Sequence, residues 1–264
     1  MKEPVDFVYP WVQGEDKFEE LRYSLRSLEK HYKEPFRVVI VGDMPGWCQN
    51  VEYIKADRKK PPEIDYENIT YDALWKMHKV CESNMVSGVF IRMYDDIFLL
   101  KDMGFKEISE LKALYLMDKN SLGDKTSSDN WRKQLINTME ELRLKGHSTW
   151  NFETHLPEVF LKSVMSWVLQ EFDALNKRLL MTSLYCNVCW QPGDDEPSLV
   201  TVETNYKAGF YGVQSNYSYG ARTYPEIKKI IRGKQFLNFN DNGLSPHMIK
   251  IVEEMFPNKS KFEK

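Results

Sequence analysis

Two periods of apolar and polar positions alternate along this chain, and their order predicts its elements. Residues 5–12, VDFVYPWV, are a short β-rich run that ends at Gly14-Glu15-Asp16, which reads as strand, loop and helix start. From Lys17 the spacing turns helical: Leu21, Leu25, Leu28 and Tyr32 fall at i, i+4, i+7 and i+11 on one face. Pro35 stops that helix. FRVVIVG, 36–42, is continuously apolar and β-branched, the pattern of a parallel strand covered on both faces. NVEYIKA, 50–56, predicts another short strand, and RKKPPEIDYENIT a loop. Tyr71–Ser83 is helical, with Leu74, Met77, His78 and Cys81 on one side, and GVFIRM is the next strand.

The second half is less regular. Residues 106–147 are charged and largely helical around a Gly/Asp/Ser break at 123–130, which predicts a helical insertion or a lid-like element. After Pro157 the chain is expected to turn into a helix with Val164, Trp167, Val168 and Phe172 inward. LLMTSLYCNVCW fits a strand or a buried helix equally, because so short a run does not separate the periods. Leu199–Tyr211 suggests edge strands. KQFLNF then reads as a strand, followed by a polar turn and a helix starting near Ser245 with Pro246 in its first turn. The order β-α-β-β-α-β predicts an α/β fold with a mostly parallel sheet flanked by helices, in a single domain over 1–264. Ligands of such sheets collect at the carboxyl ends of the strands.

Composition narrows the function. At 264 residues the chain can bury a sizeable core, and its net charge of −3 provides no global attraction to nucleic acid or anionic membrane. No apolar run approaches the ~20 residues of a membrane span. The N-terminus lacks a signal-peptide pattern, so cytoplasmic residence is expected. Cys186 and Cys189 form a lone C-x-x-C with no second pair, which suits two small half-buried strand residues better than a zinc or redox site.

The candidate chemistry starts at GVFIRMYDDIFLL, 88–100. Asp95 and Asp96 interrupt an apolar run, and burying an unpaired carboxylate costs several kcal/mol, roughly. The pair therefore stands at a solvated strand end or faces a cation. Adjacent carboxylates are hard-oxygen ligands for Mg²⁺ or Mn²⁺, with substrate phosphates completing the shell. Asp241, in NDN after a β-like run, could add a carboxylate, or belong to an ordinary Asn/Asp turn. His155 follows Glu153 in ETHLP, where a histidine can act as a base, a ligand or a structural hydrogen-bonding group. Arg22 and Arg26, one helical turn apart, either grip a diphosphate or pair with Glu19 and Glu29. No G-x-G-x-x-G or P-loop occurs.

Together these stretches resemble the Stealth-type sugar-phosphate transferases, which use nucleotide-activated sugars on a glycosyltransferase-A-like (GT-A-like, Rossmann-like) core. DFVYPWVQGED is similar to that family's opening block, and EELRYSLRSLEKH with FRVVIVGDMPGW to its second. FIRMYDDIFLL stands where the family has its metal strand, ETHLPEVF resembles the third block, and FLNFNDN with FPNKSKFEK the fourth. The resemblance implies metal binding by Asp95 or Asp96 with Asp241, nucleotide-sugar contacts from Trp11, Gly14, Arg22 and Arg26, and a catalytic role for His155.

Tyr94 stands where the family has an Asn, and the chain has no counterpart of the family's arginine after the third block. The second departure favours glycosyl over sugar-1-phosphate transfer. Compact relatives of this kind look like glycosyltransferases of phages and capsule loci, some acting on modified DNA bases. The expectation is a nucleotide-sugar-dependent, metal-dependent glycosyltransferase with a UDP-sugar donor and a glycan or modified-nucleobase acceptor. In it Asp96 has a catalytic role, and His155 or Glu153 is the base. Sugar-1-phosphate transfer and a non-catalytic sugar- or nucleotide-binding module are the alternatives.

Overall fold

The structure is a computed structural model that describes residues 3–14, 18–59, 68–122, 130–191, 193–200, 223–239 and 244–264. In chain order the elements are β1 (Val5–Trp11), α1 (Glu20–His31), β2 (Phe36–Gly42), β3 (Glu52–Lys55), α2 (Asn68–Glu82), β4 (Val89–Arg92) and β5 (Ile97–Leu99). There follow α3 (Phe105–Ser109), β6 (Lys112–Ala113), α4 (Lys119–Leu122), α5 (Asn130–Leu144), β7 (Glu158–Leu161), α6 (Lys162–Glu171), α7 (Ala174–Lys177) and α8 (Met181–Cys189). The last are β8 (Ser198–Leu199), α9 (Tyr224–Ile231), β9 (Phe236–Asn238) and α10 (Pro246–Met255).

The central sheet has the order β3-β2-β1-β4-β7, parallel except for β7, which runs antiparallel to β4. Its strands are apolar at consecutive positions because both faces are covered. Phe7, Tyr9, Val38, Ile40 and Ile91 face α1 and β5, while Val8, Val39, Val41 and Phe90 join the core built by α2, α5, α6 and α8. A third apolar cluster ties β9, α9 and α10 to Phe98 of β5.

α1 approaches β5 closely because its buried face carries serines as well as leucines. Ser24 Oγ donates to the Ile97 carbonyl at 2.6 Å, and Leu99 N donates to Ser27 Oγ at 3.0 Å. Those bonds satisfy backbone groups of β5 that face the helix.

Several expectations are corrected. The chain after Pro157 stays extended as β7 before entering α6, four residues being too few to show a period of two. Trp167 is 49% exposed, so the inward face of α6 is Met165, Val168 and Leu169, with Val164 partly buried and Phe172 buried just beyond the helix. LLMTSLYCNVCW resolves as helix α8, so Cys186 and Cys189 are helical, the first buried and the second exposed. Within 106–147, α5 buries Leu135, Ile136, Met139 and Leu142 in the same core as α2, so α5 is part of that core. Most of Leu199–Tyr211 lies outside the described residues. Among the described residues, no helix is long and apolar enough to cross a membrane.

Candidate active site

The parallel strands β1 to β4 all end on one edge, where register sets Trp11 beside Gly42 and Val8 beside Arg92. From Arg92 the chain turns through Tyr94, Asp95 and Asp96 into β5. The turn is closed by Ile97 N donating to the Tyr94 carbonyl at 3.3 Å. Asp96 is only 9% exposed, and His155 Nε2 lies 2.9 Å from each of its carboxylate oxygens. The two residues are 59 positions apart in sequence, and the fold brings them together. Burial, then the negative charge of Asp96, pushes Asp95 up to about 7. Tyr9 on β1 is buried and shares this environment, its hydroxyl 3.2 Å from Ser24 Oγ.

His155 holds a backbone φ of +51°, and its ring stacks on Tyr94 with centroids 4.2 Å apart and planes 21° from parallel. Behind Tyr94 lies a buried polar cluster. Arg92 donates to the Tyr94 hydroxyl, pairs with Glu158, and donates to Thr182 Oγ1 at 2.9 Å. Thr182 in turn donates to Glu158 Oε1 at 3.2 Å. Arg92 and Glu158 are direct partners across β4 and β7, so strand register builds the pair. Burial pushes Glu158 up to about 7 against the pull of Arg92. Glu153 is also raised by burial, and it accepts from Ser183 N at 2.9 Å.

Of the residues expected to meet a nucleotide-sugar, Trp11 ends β1 and is 9% exposed, and Gly14 lies exposed three residues further on. Gln13 N donates to Asp43 at 2.8 Å, joining the loops after β1 and β2. Gly42, at φ +122°, has no room for a side chain: a Cβ would sit 2.1 Å from the Trp11 carbonyl oxygen. Beneath it the buried Lys76 of α2 pairs with Asp72.

Arg22 and Arg26 face the same way, as their spacing required, but they close on the C-terminal tail. Arg26 holds Glu263 with Nε and Nη2, each at 2.8 Å, and donates Nη1 to the Phe256 carbonyl at 3.0 Å. Arg22 bonds Glu263 at 3.0 Å and also Glu19. Asp241 lies outside the described residues. Antiparallel pairing sets Asn238 opposite Ile97 and leads the chain, as far as Phe239, toward the Asp96 end of β5. Among the described residues, no group of three or more His, Cys, Asp or Glu is arranged to hold a metal ion.

Sequence reasoning missed Arg92, Glu158, Asn238 and Lys76, and noted Tyr94 only as a departure from the family's Asn. A signal was present for two: Arg92 within FIRM and Asn238 within FLNF are polar residues inside apolar strands, which implies a buried partner for each.

The fold is α/β of the glycosyltransferase-A type, a mainly parallel sheet between helices. The chain is similar to the bifunctional glycosyltransferase WbbM over 98% of its own length and 50% of that protein's, at 9% identity and a TM-score of 0.50. The galactosyltransferase LgtC, in complex with donor and acceptor sugar analogues, gives a TM-score of 0.49 at 10% identity, covering 97% of this chain and 98% of LgtC. GlyE of Streptococcus pneumoniae TIGR4 gives 0.46 at 10% identity, covering 98% and 61%. No family model and no curated protein matches the sequence.

Proposed function

We propose that this chain is a glycosyltransferase that takes a nucleotide-sugar, a UDP-sugar in the first instance, and passes the sugar to a hydroxyl of a glycan or modified nucleobase. The observation that supports it is the Asp95–Asp96–His155 cluster at the carboxyl edge of the sheet, where α/β folds bind ligands. Trp11 and Gly14, at the same edge, are the candidate nucleotide contacts.

Mg²⁺ or Mn²⁺ fits this donor set. Asp95 and Asp96 are adjacent hard-oxygen donors, and burial together with the charge of Asp96 pushes Asp95 up to about 7. Asp95 and Asp96 would hold the ion, with Asp241 as a third candidate. Bound there, it would neutralise charge on the departing diphosphate.

In the transfer, the acceptor oxygen bonds to the anomeric carbon as the bond from that carbon to the diphosphate oxygen breaks. The acceptor's proton passes to a base. His155 is the candidate, oriented by Nε2–H donating to Asp96, which leaves Nδ1 as its basic nitrogen, and Glu153 is the carboxylate nearby. Chromatography after incubation with a panel of nucleotide-sugars and Mn²⁺ tests this. Release of nucleoside diphosphate that disappears in Asp96→Asn is the expected result. Nucleoside monophosphate would replace it with sugar-1-phosphate transfer, which the Stealth resemblance favours. No release from any donor, with donors still raising the melting temperature, would mean a binding module.

A further inference from the structure

His155 occupies a conformation that its own chemistry does not favour. A φ of +51° lies in the left-handed region, which costs a non-glycine residue on the order of 1 kcal/mol and persists only where the surroundings over-determine it. Three contacts from two segments do so here. Asn238 of β9 donates Nδ2 to the His155 carbonyl at 2.6 Å, Tyr94 covers the ring face, and Asp96 takes Nε2.

Tyr94 is itself fixed from behind. The Arg92 guanidinium bonds its hydroxyl and lies 4.6 Å above its ring, and Arg92 is locked to Glu158 and Thr182 in turn. A buried ion pair of this kind is weak support for stability, since apolar replacements often do as well. Its position, one layer behind a stacked tyrosine and a histidine, suits the holding of a side chain in one orientation.

We propose that Tyr94 and Asn238 are positioning residues for His155: the stacked ring sets the imidazole plane, and the amide pins the strained backbone, so that Nε2 stays aimed at Asp96. The part this plays in turnover rests on the transferase reading above. The positioning does not, and it can be measured without substrate.

The test uses the full chain labelled with ¹⁵N-histidine, with long-range ¹H–¹⁵N spectra recorded at one neutral pH. His155→Gln identifies the His155 signals among the five histidines. Wild type should show one sharp His155 pattern in a single tautomer. Tyr94→Leu and Asn238→Ala should shift and broaden it, while Tyr94→Phe, which keeps the stack, restores it. With any donor that wild type turns over, Tyr94→Leu should lower kcat about tenfold or more, leave donor KM within about twofold, and be rescued by phenylalanine.

His155 signals unchanged in both Tyr94→Leu and Asn238→Ala would overturn the proposal. Should Tyr94→Leu fail to fold, Asn238→Ala decides it by the same spectrum. A pinned His155 that the variants loosen, in a protein that releases no nucleotide from any donor, would uphold the positioning and end the transferase reading instead.

Discussion

Two carboxylate sites in this molecule, at Glu263 and at Asp95, end in opposite electrostatic states. At Glu263, burial would raise the carboxyl, but Arg26, the Ser260 N–H and Arg22 together hold it down to about 2. At Asp95, burial and the neighbouring Asp96 raise the carboxyl to about 7, with only backbone N–H groups and His155 to oppose them. The first site is complete: every charge has its partner, and the result is a clasp between α1 and the C-terminal tail. The second is left short of positive charge at the edge where ligands of this fold class gather. A carboxylate raised in this way at a ligand-binding edge is a candidate functional group.

The sharpest way to break that contrast is to remove one charge from the short site. Asp96→Asn should cost about a hundredfold or more in nucleotide release, roughly 3 kcal/mol of transition-state stabilisation, without lowering the melting temperature. Glu263→Gln should do the reverse. Leaving two arginines without their carboxylate should cost on the order of 3 kcal/mol by denaturant titration, with donor KM unchanged. A raised donor KM in that variant would mean that Arg22 and Arg26 also serve the nucleotide-sugar, as first expected.

The pH dependence of the clasp has a definite sign. Glu263 has a folded value depressed from 4.5 to about 2, so its stabilisation is complete above the unfolded value and is lost as pH falls through that window. The stability gap between wild type and Glu263→Gln should therefore close between pH 4.5 and about 2.

A smaller effect is expected at Asp95, with the opposite sign. Its folded value is raised, so ionising it destabilises the fold as pH rises from 3.8 toward about 7. Asp95→Asn should raise stability at pH 8 by on the order of 2 kcal/mol and leave it nearly unchanged at pH 4. Smallest of all, Cys189→Ser should stay within about 0.5 kcal/mol of wild type, because that thiol is exposed and unpaired in any disulfide.

Much of the fold was legible because strands covered on both faces announce themselves. FRVVIVG and VDFVYPWV are rich in β-branched and aromatic residues, and the leucines of α1 share one period. The β7 strand was hidden because four residues between Pro157 and α6 carry no period, and α8 because its apolar run suits either geometry. At the site, Asp95, Asp96 and His155 were visible as unusual residues in extended chain. Their meeting was not, since contact between positions 96 and 155 depends on β7 pairing with β4.

The arginines show the opposite limit. Spacing established that Arg22 and Arg26 share a face, but only tertiary structure supplies the partner, Glu263, 237 residues from Arg26. The stacking of Tyr94 on His155 could not be read without coordinates, because nothing in MYDDIF says which way an aromatic ring at a strand end will turn.

We propose that the carboxylates at 95 and 96 receive a divalent cation carrying a nucleotide diphosphate. Calorimetric titration of the full chain with UDP in the presence and absence of Mn²⁺ tests it most directly. Binding that needs Mn²⁺ and is lost in Asp96→Asn, while Glu263→Gln binds as wild type does, is the predicted result. Equal Mn²⁺-dependent binding by wild type and Asp96→Asn would contradict it.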